Sequence, residues 1–434
     1  MAKVDRYPAK MVAQFAERLV DKYARGAATV LDPFCGSGAI LAAAQRRGLL
    51  STGVDINPYA TLLAGVKTHG FPATEAAELV AELVSNARRC HRRWPIAWEG
   101  KAYWFTSGTV EKYERLRLMA RGMDLHRSAA GRAVLLAMVL SVRPCSRADQ
   151  RSPKPFISKG ACRERAGRHF DPFNVIPGIL ADVATVYGQQ RLAAESRILL
   201  GDIRKDSVTA ARIGKHSHAI TSPPYINAQD YYRNFKLELH LMDGVPPFKK
   251  PADISGLFIG TERGELLEAV QDDVRERHLG LVPQLQRLTR EHPRLAAVVH
   301  RYLSDMEIVF DKIAHVLLPN GTLVVVCGDN LVGGLHIRTW EVLNHMLVTK
   351  GFALFDTFSD RIVNRRVPPK RHGHKGLIKE EIVSAFRLPG LPGVGREQRG
   401  QDTFPLSENS KDLQNSGAGQ GSFGRRRGGH ERCG

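Results

Sequence analysis

Apolar residues of this chain cluster in short runs that end in acidic or loop-forming residues, a pattern typical of buried β-strands. The first run leads into a glycine-rich turn, CGSG at 35–38, and a stretch of helical periodicity at 39–47 connects that turn to the second run. A strand, a turn, a helix and a strand in this order predict a βαβ unit with parallel strands. Seven strands are predicted in all, at 28–34, 51–56, 196–202, 218–225, 321–329, 352–358 and 382–388.

Helical spacing of apolar residues separates these strands and predicts an α/β fold with helical insertions. The predicted helices are 11–24, 39–47, 58–66, 74–90 and 303–317, the last closed by the turn sequence PNG. We divide the chain into a first half of the core at 1–70, an insertion at 71–195 that is a candidate target-recognition region, a second half at 196–388 with a helical insertion at about 244–300, and a basic tail at 389–434. The tail is rich in Gly, Arg and Ser and has no periodicity, so it is predicted to be disordered.

Composition narrows the class of protein. Lys and Arg number 63 against 44 Asp and Glu, a formal charge of +19, which favours a polyanionic partner such as a nucleic acid. No apolar run is long enough for a transmembrane helix, and no secretory signal is visible, so we expect a cytoplasmic protein without membrane contact. The six cysteines form no CxxC pair, and Cys145, Cys162 and His169 fit no zinc spacing, so no metal is expected.

The turn VLDPFCGSG (30–38) is the first sign of a ligand site. Asp32 ends its strand, and Gly36 and Gly38 allow a ligand to approach the backbone. Asp55, at the end of the next strand, is placed to accept hydrogen bonds from ribose hydroxyls. The turn lacks the GxGxxG pattern of nicotinamide-dependent dehydrogenases, and an acid facing the ligand suits a positively charged one, such as S-adenosylmethionine. Asp202 ends a third strand and is a candidate acceptor for the adenine amino group.

The motif Ser222-Pro223-Pro224-Tyr225 follows another predicted strand. Two prolines fix the backbone and remove two N–H donors, so carbonyl groups remain to accept the hydrogens of an amine. An exocyclic base amine is a poor nucleophile because its lone pair is conjugated with the ring. Acceptors that hold its hydrogens favour a pyramidal nitrogen, and the tyrosine ring offers a face for stacking. Carbon-5 methylation of cytosine would instead need a cysteine nucleophile, and the dipeptide Pro144-Cys145 lies away from any predicted strand end.

DPFCGSG and TSPPY together resemble the paired motifs of the DNA amino-methyltransferases, and RYPAKM (6–11) resembles an additional cofactor motif of that family. The resemblance covers 5–60, 196–240 and 300–388 and implies a Rossmann-like, seven-stranded methyltransferase fold. The leading serine of TSPPY resembles the cytosine-N4 branch rather than the adenine-N6 branch. Many members with SPPY have the two motifs in the reverse order, which leaves the sequence specificity open. The implied cofactor-binding residues are Pro8, Lys10, Asp32, Pro33, Phe34, Gly36, Ser37, Gly38, Asp55, Ile56, Asn57, Asp202 and Ile203.

Two basic stretches are candidates for backbone contacts with DNA, or with RNA as the alternative. Residues 143–168 carry eight Lys and Arg against two acids, and residues 361–379 carry seven and no acid. The candidate nucleic-acid contacts are Arg151, Lys154, Lys159, Arg365, Arg366 and Arg371, with Asn227 and Tyr231 after the SPPY motif. Trp94, Trp98, Tyr103 and Trp104 form either a small aromatic core or a stacking surface. A non-catalytic nucleic-acid-binding protein on the same fold is the alternative of another class. A companion restriction enzyme is compatible with the resemblance, and the oligomeric state is left open.

Overall fold

The computed structural model contains one seven-stranded sheet with helices on both faces. It describes residues 4, 7, 11–24, 26, 29–152, 154–160, 171–188, 194–205, 208–226, 231–262, 272–361 and 380–390. The strands are β1 (Thr29–Asp32), β2 (Leu50–Asp55), β3 (Ser196–Leu200), β4 (His216–Thr221), β5 (Leu317–Cys327), β6 (Asn330–Val332), β7 (Leu335–Ile337), β8 (Ala353–Arg361) and β9 (Glu380–Arg387).

The sheet has the order β3-β2-β1-β4-β5-β9-β8. The first five strands pair in parallel, whereas β9 runs antiparallel to both of its neighbours. The prediction of a Rossmann-like seven-stranded α/β fold is therefore confirmed. The order reverses between β1 and β4, and ligands of open α/β sheets bind beyond the carboxyl ends of the strands at such a reversal.

Side chains of the central strands alternate between two hydrophobic clusters, one on each face of the sheet. In β5, Leu323 and Val325 belong to one cluster, while Val324 and Val326 belong to the other. A strand buried on both faces appears as a continuous apolar run, which is why its sequence LVVV predicted a strand without alternation.

The helices are α1 (Ala13–Tyr23), α2 (Ala39–Arg46), α3 (Pro58–His69), α4 (Ala73–Arg89), α5 (Lys101–Trp104), α6 (Ser107–Gly122), α7 (Ala129–Ser141), α8 (Pro172–Tyr187), α9 (Ala210–Ile213), α10 (Tyr231–Asn234), α11 (Lys236–Met242), α12 (Pro251–Ser255), α13 (Asp272–Leu281), α14 (Gln284–Glu291), α15 (Pro293–Val316) and α16 (Thr339–Thr349).

The first insertion forms a third hydrophobic cluster together with α3 and with residues of 232–258. Helix α7 is buried along most of its length, from Ala130 to Ser141, and packs against α3, α4 and α8. The insertion is thus attached both to the cofactor half of the core and to the segment that follows SPPY. None of the described helices is long and apolar enough to span a membrane.

All seven predicted strands are present, and two local predictions need correction. The helix predicted at 303–317 begins ten residues earlier, at Pro293, a residue that is favourable in the first helical turn. The PNG sequence does not follow the helix as a separate turn but lies inside β5, where Asn320 has φ +62° and the register with β4 shifts. The hairpin of β6 and β7, turned by Gly333 and Gly334, was not predicted. The predicted tail lies outside the described residues, apart from 389–390.

Candidate active site

A cleft opens at the carboxyl ends of the parallel strands and brings the two sequence motifs together. Its predicted lining residues are Asp32, Pro33, Phe34, Gly36, Ser37, Asp55, Ile56, Asp202, Ile203, Ser222, Pro223, Pro224 and Tyr225. The residues that sequence reasoning did not single out are Tyr7, Met11, Cys35, Ala39, Ile40, Gly201, Leu257, Phe258 and Ile259. We call the side formed by β1 and β2 the cofactor wall, and the side formed by 222–225 and 257–259 the target wall.

Asp55 ends β2 and is held by two backbone donors. Its Oδ2 accepts from the Gly36 N–H at 2.9 Å, and its Oδ1 accepts from the Asn57 N–H at 2.8 Å. Burial raises the pKa of this carboxyl to about 6, although both hydrogen bonds oppose that shift. Each oxygen of a carboxylate can accept more than one hydrogen bond, so Asp55 retains acceptor capacity toward the cleft.

Asp32 ends β1 and is also buried. The Thr221 hydroxyl donates to its Oδ1 at 2.8 Å, and the Phe34 N–H donates to the same oxygen at 3.1 Å. Burial raises its pKa to about 7, and the neighbouring Asp55 contributes to the rise. Two desolvated carboxyl groups in one cleft favour a ligand that brings positive charge and hydroxyl donors. The two carboxyl groups of the cofactor wall are hydrogen-bond acceptors and therefore fit the ammonium and ribose hydroxyl donors of S-adenosylmethionine.

The glycines of the turn serve different purposes. Gly36 has φ +48°, and a Cβ there would lie 3.1 Å from the Tyr7 ring, which covers the turn. Gly38 has φ +75°, and its Cβ would meet Ala64 of α3 at 3.0 Å, so this glycine allows two helices to pack closely. Gly38 does not line the cleft, and Asn57 is a buried cap of α3 whose side chain accepts from the Tyr59 N–H. Their predicted cofactor contacts stay predictions.

Asp202 lies in the cleft but is bound by an arginine. Arg204 donates to both of its carboxylate oxygens, at 2.9 Å and 2.6 Å, and also forms an ion pair with Asp305 of α15 at 2.5 Å. The same guanidinium donates to the carbonyl of Leu257, a residue of the target wall. Arg204 thus connects the end of β3, a long helix and the loop at 257–259.

The SPPY segment is fixed by residues far away in sequence. The Tyr225 hydroxyl donates to Oε1 of Glu381 on β9 at 2.7 Å, and the Asn330 side chain donates to the Ile226 carbonyl at 3.0 Å. Burial raises the pKa of Glu381. Gly260 has φ +76°, and a Cβ there would lie only 2.5 Å from the Tyr225 carbonyl oxygen, so the loop and the motif are in close contact. The aromatic ring beside the cleft is therefore held in one orientation.

Comparison with known proteins bears on one wall of the cleft. Residues 2–64 match a protein family described as DNA methylase. The N-terminal segment is similar to DNA methylases. That segment contains the cofactor wall, with Asp32 and Asp55, but not the SPPY motif.

A curated relative and two solved structures are also similar. The type II methyltransferase M.MjaII of Methanocaldococcus jannaschii is 26% identical over 82 residues, which cover 19% of this chain and 16% of that protein. TTHA0409 from Thermus thermophilus is 22% identical over 23% of this chain and 40% of its own, with a TM-score of 0.17. The rRNA methyltransferase aviRa from Streptomyces viridochromogenes is 12% identical over 88% and 87%, with a TM-score of 0.26. The family match covers residues 2–64 and the similarity to M.MjaII covers 82 residues, so both concern only part of this chain, and neither separates the N4 branch from the N6 branch.

The described nucleic-acid candidates differ in exposure. Arg151 and Lys159 are exposed and Lys154 is half-buried, whereas Arg143 of the same basic stretch is buried against Glu238 at 3.0 Å. The ion pair of Arg143 thus has a structural role. Asn227, Arg365, Arg366, Arg371 and the side chain of Tyr231 lie outside the described residues, as do Pro8 and Lys10.

The aromatic residues of the first insertion are mostly core residues. Trp94, Trp98 and Trp104 pack against the third hydrophobic cluster, and Trp98 stacks on His240 with ring centroids 4.5 Å apart. Tyr103 differs from them because its ring is exposed. The three tryptophans therefore pack as the predicted small aromatic core. For Tyr103, a role in stacking on a base stays a prediction.

Two features of the cleft had a signal in the sequence. Tyr7 lies within the RYPAKM motif, directly before Pro8, and reaches the cleft over Gly36. Cys35 lies inside the DPFCGSG turn, where burial raises the pKa of its thiol well above its ordinary value, so it is unsuited to act as a nucleophile. Glu381, Arg204 and the loop at 257–259 have no motif that marks them.

Proposed function

We propose that this protein transfers a methyl group from S-adenosylmethionine to an exocyclic amine of a base in DNA, with N4 of cytosine as the target. The observation that carries the proposal is the meeting of the DPFCGSG turn and the SPPY motif in one cleft. The match of the N-terminal segment to DNA methylases and the similarity to M.MjaII support the substrate class. Ser222, in place of an acidic or amide residue, is what favours cytosine over adenine.

The cofactor wall is suited to hold S-adenosylmethionine. Asp55 would accept the ribose hydroxyls, because its oxygens are oriented by the Gly36 and Asn57 N–H groups. Asp32 would face the positive charge of the methionine part, since its buried carboxyl gains a counter-charge there. When bound, the cofactor supplies a methyl group on a positively charged sulfur, which is a good leaving group. The remaining task of the protein is to align an amine with that methyl group.

The target wall is suited to receive a base that has left its duplex. Extruding a base costs a few kcal/mol, which contacts to the phosphate backbone offset. The Tyr225 ring, fixed by Glu381, would stack on the extruded base, and Ser222 with the carbonyl of Pro223 would accept hydrogen bonds from its amine. These acceptors would orient the nitrogen lone pair toward the cofactor side. The proposal assigns no step to a cysteine or to a metal.

The test is to incubate the purified full chain with methyl-labelled S-adenosylmethionine and either unmodified DNA or bulk RNA, and to identify the labelled nucleoside after digestion. We expect label in N4-methylcytosine from DNA. Ser222→Ala and Tyr225→Ala are expected to lower the rate by about a hundredfold or more, while Thr349→Ala, which removes an exposed hydroxyl at the end of α16, leaves it unchanged.

Other outcomes would change the proposal in defined ways. Label in N6-methyladenine would keep the mechanism and replace the target base. Label confined to RNA would overturn DNA as the substrate. Binding of the cofactor and of DNA without transfer of label would favour the non-catalytic nucleic-acid-binding protein instead.

A further inference from the structure

An exposed surface on the first insertion combines aromatic rings with positive charges. We call it the aromatic-cationic face and define it by Tyr103, Arg147, Arg151, Phe156 and Lys159. Tyr103 and Phe156 are 61% and 45% exposed, unlike the three tryptophans of the same insertion. Arg147, Arg151 and Lys159 are exposed as well. Exposed rings and cations therefore occur together in two short segments of the insertion, whereas its three tryptophans pack against a hydrophobic cluster.

Backbone and side-chain contacts connect the two segments that carry these five residues. Arg147 donates from its backbone N–H to the Trp104 carbonyl at 2.7 Å and from its guanidinium to the Tyr103 carbonyl at 3.3 Å, which connects it to α5. The Asp149 N–H donates to the Phe156 carbonyl at 2.8 Å, so the chain from 149 to 156 closes on itself. The surface is therefore formed by two segments that are joined by hydrogen bonds.

Asp149 organises the cationic part of the face. Its carboxylate is buried, and it accepts from Arg151 Nε at 3.0 Å, from Arg151 Nη2 at 2.6 Å and from the Ser158 hydroxyl at 2.7 Å. These hydrogen bonds hold the pKa of Asp149 well below its ordinary value. The guanidinium of Arg151 is thus fixed while its side chain remains 69% exposed to solvent.

Arg143 attaches this surface to the segment that follows the SPPY motif. Its Nε donates to Glu238 of α11 at 3.0 Å, its Nη1 donates to the Ser152 carbonyl at 2.9 Å, and its Nη2 donates to the Asn234 carbonyl of α10. Trp98 stacks on His240, whose Nε2 shares a hydrogen bond with the Tyr232 hydroxyl at 2.8 Å. The aromatic-cationic face is therefore attached to α10 and α11, and α10 begins six residues after Tyr225.

We propose that the aromatic-cationic face binds unpaired nucleotides of a single nucleic-acid strand beside the target base; this rests on the proposed function for the identity of the target. Cations bind phosphates, and exposed rings stack on bases, a combination typical of proteins that bind single-stranded nucleic acid. In a duplex, the faces of the bases are covered by their neighbours and offer nothing for Tyr103 and Phe156 to stack on. Every base has such a face, so this surface contributes affinity and not sequence recognition.

The test measures binding of the full chain, without cofactor, to a fluorescein-labelled DNA of about 12 nucleotides, single-stranded or annealed to its complement. Fluorescence anisotropy is expected to show tighter binding to the single strand at equal salt. Tyr103→Ala and Phe156→Ala are each expected to weaken single-strand binding about tenfold and duplex binding far less. Tyr103→Phe keeps the ring and is expected to keep the affinity. Phe355→Ala removes a ring of 49% exposure on β8 and is the matched control.

The cationic half is tested by salt dependence. Lys159→Gln is expected to reduce the slope of log K against log salt by about one, as for the loss of one phosphate contact. Arg287→Gln removes an exposed charge on α14 and is expected to leave that slope unchanged.

Three results would overturn the inference. The first is equal weakening of single-strand and duplex binding by the two ring substitutions, and the second is no weakening of either. If that second result came with normal methyl transfer, the face would be excluded and the proposed function would stand. The third is a wild-type chain that binds neither DNA; it would overturn the inference, while the labelling experiment would still decide the proposed function.

Discussion

The two walls of the cleft are built in different ways. In the cofactor wall, Asp55 is held by the N–H groups of Gly36 and Asn57, which are 19 and 2 residues away in sequence. In the target wall, Tyr225 is held by Glu381 and Ile226 by Asn330, which are 156 and 104 residues away. Asp55 is therefore held locally within one βαβ unit. Asp32 of the same wall accepts from Thr221 of β4, 189 residues away, and the target wall depends on contacts from β6 and β9.

This difference predicts different sensitivities. A group that is held locally is affected by changes in its own motif, while a group held by distant residues is affected by changes outside any motif. The following variants are ordered from the largest expected effect to the smallest.

Arg204→Met removes the arginine that connects Asp202, Asp305 and the Leu257 carbonyl. The buried Asp202 would lose its ion pair and Asp305 would keep only Arg301 at 3.9 Å, so the free energy of unfolding should fall by about 3–5 kcal/mol. Urea unfolding followed by circular dichroism measures this loss. Arg287→Gln, which breaks an exposed pair with Glu291, should leave the midpoint in place. A midpoint for Arg204→Met equal to that of the wild type would mean that the target wall does not depend on this arginine.

Gly260→Ala adds a Cβ that would lie 2.5 Å from the Tyr225 carbonyl oxygen. We expect a loss of about 2 kcal/mol of stability and at least a roughly tenfold slower methyl transfer, because both the backbone strain and the clash act on the target wall. Gly334→Ala is the matched control, since its φ is +80° and its Cβ would meet nothing within 4 Å. This control variant should lose about 1 kcal/mol of stability through the same kind of backbone strain, and its rate of methyl transfer should not change. Equal rates for the two variants would contradict the close contact at Tyr225.

The pH dependence of cofactor affinity tests the cofactor wall. Asp32 has a pKa of about 7, and a cationic ligand binds its ionised form, so lowering the pH from 8 to 6 should weaken S-adenosylmethionine binding about tenfold. Without ligand, the free energy of unfolding should change in the opposite direction and fall as the pH rises. Because the pKa of Asp32 is raised in the folded state, its protonated carboxyl contributes fully to stability below about pH 4, and this contribution is lost as the pH rises through 7. Calorimetric titration measures the affinity. Asp32→Asn should bind weakly with a flat profile from about pH 8 to 7, and a wild-type slope in this variant would exclude Asp32 as the titrating group.

Tyr225→Phe keeps the ring and removes its hydrogen bond to Glu381. We expect kcat/KM for DNA to fall about fivefold, in line with the loss of about 1 kcal/mol for one hydrogen bond. Tyr23→Phe breaks a similar bond, to Asp356 at 2.8 Å between α1 and β8, and should leave kcat/KM unchanged. If both variants behaved alike, the orientation of the Tyr225 ring would have no part in the reaction.

The sequence predicted what is encoded locally. Seven strands, the turn at 35–38 and the two motifs could be located because apolar runs and turn residues are adjacent in the chain. The hairpin of β6 and β7 was missed, although Gly333-Gly334 between short apolar segments is a typical hairpin signal. Asn57 and Gly38 belong to the cofactor motif, yet their side-chain positions serve helix capping and helix packing.

The remainder of the site could not be predicted from the sequence. Glu381 and Arg204 act through contacts that exist only after β9 and α15 have packed, and neither position carries a pattern that distinguishes it from other charged residues. The basic stretch at 143–168 shows the same limitation, because Arg143 and Arg151 look alike in the sequence while one is buried and the other is exposed.

The position of β9 has a consequence for biosynthesis. It lies between β5 and β8, yet among the strands in the described part of the chain it is the last to leave the ribosome. Domains generally fold as units as their chains are synthesised. A nascent chain that has reached β8 already contains both motifs and can form the cofactor wall, but it lacks Glu381 and the strand that separates β5 from β8. The proposed methyl transfer would therefore begin only after β9 has been synthesised, because until then the sheet has a gap between β5 and β8 and Tyr225 lacks its partner Glu381.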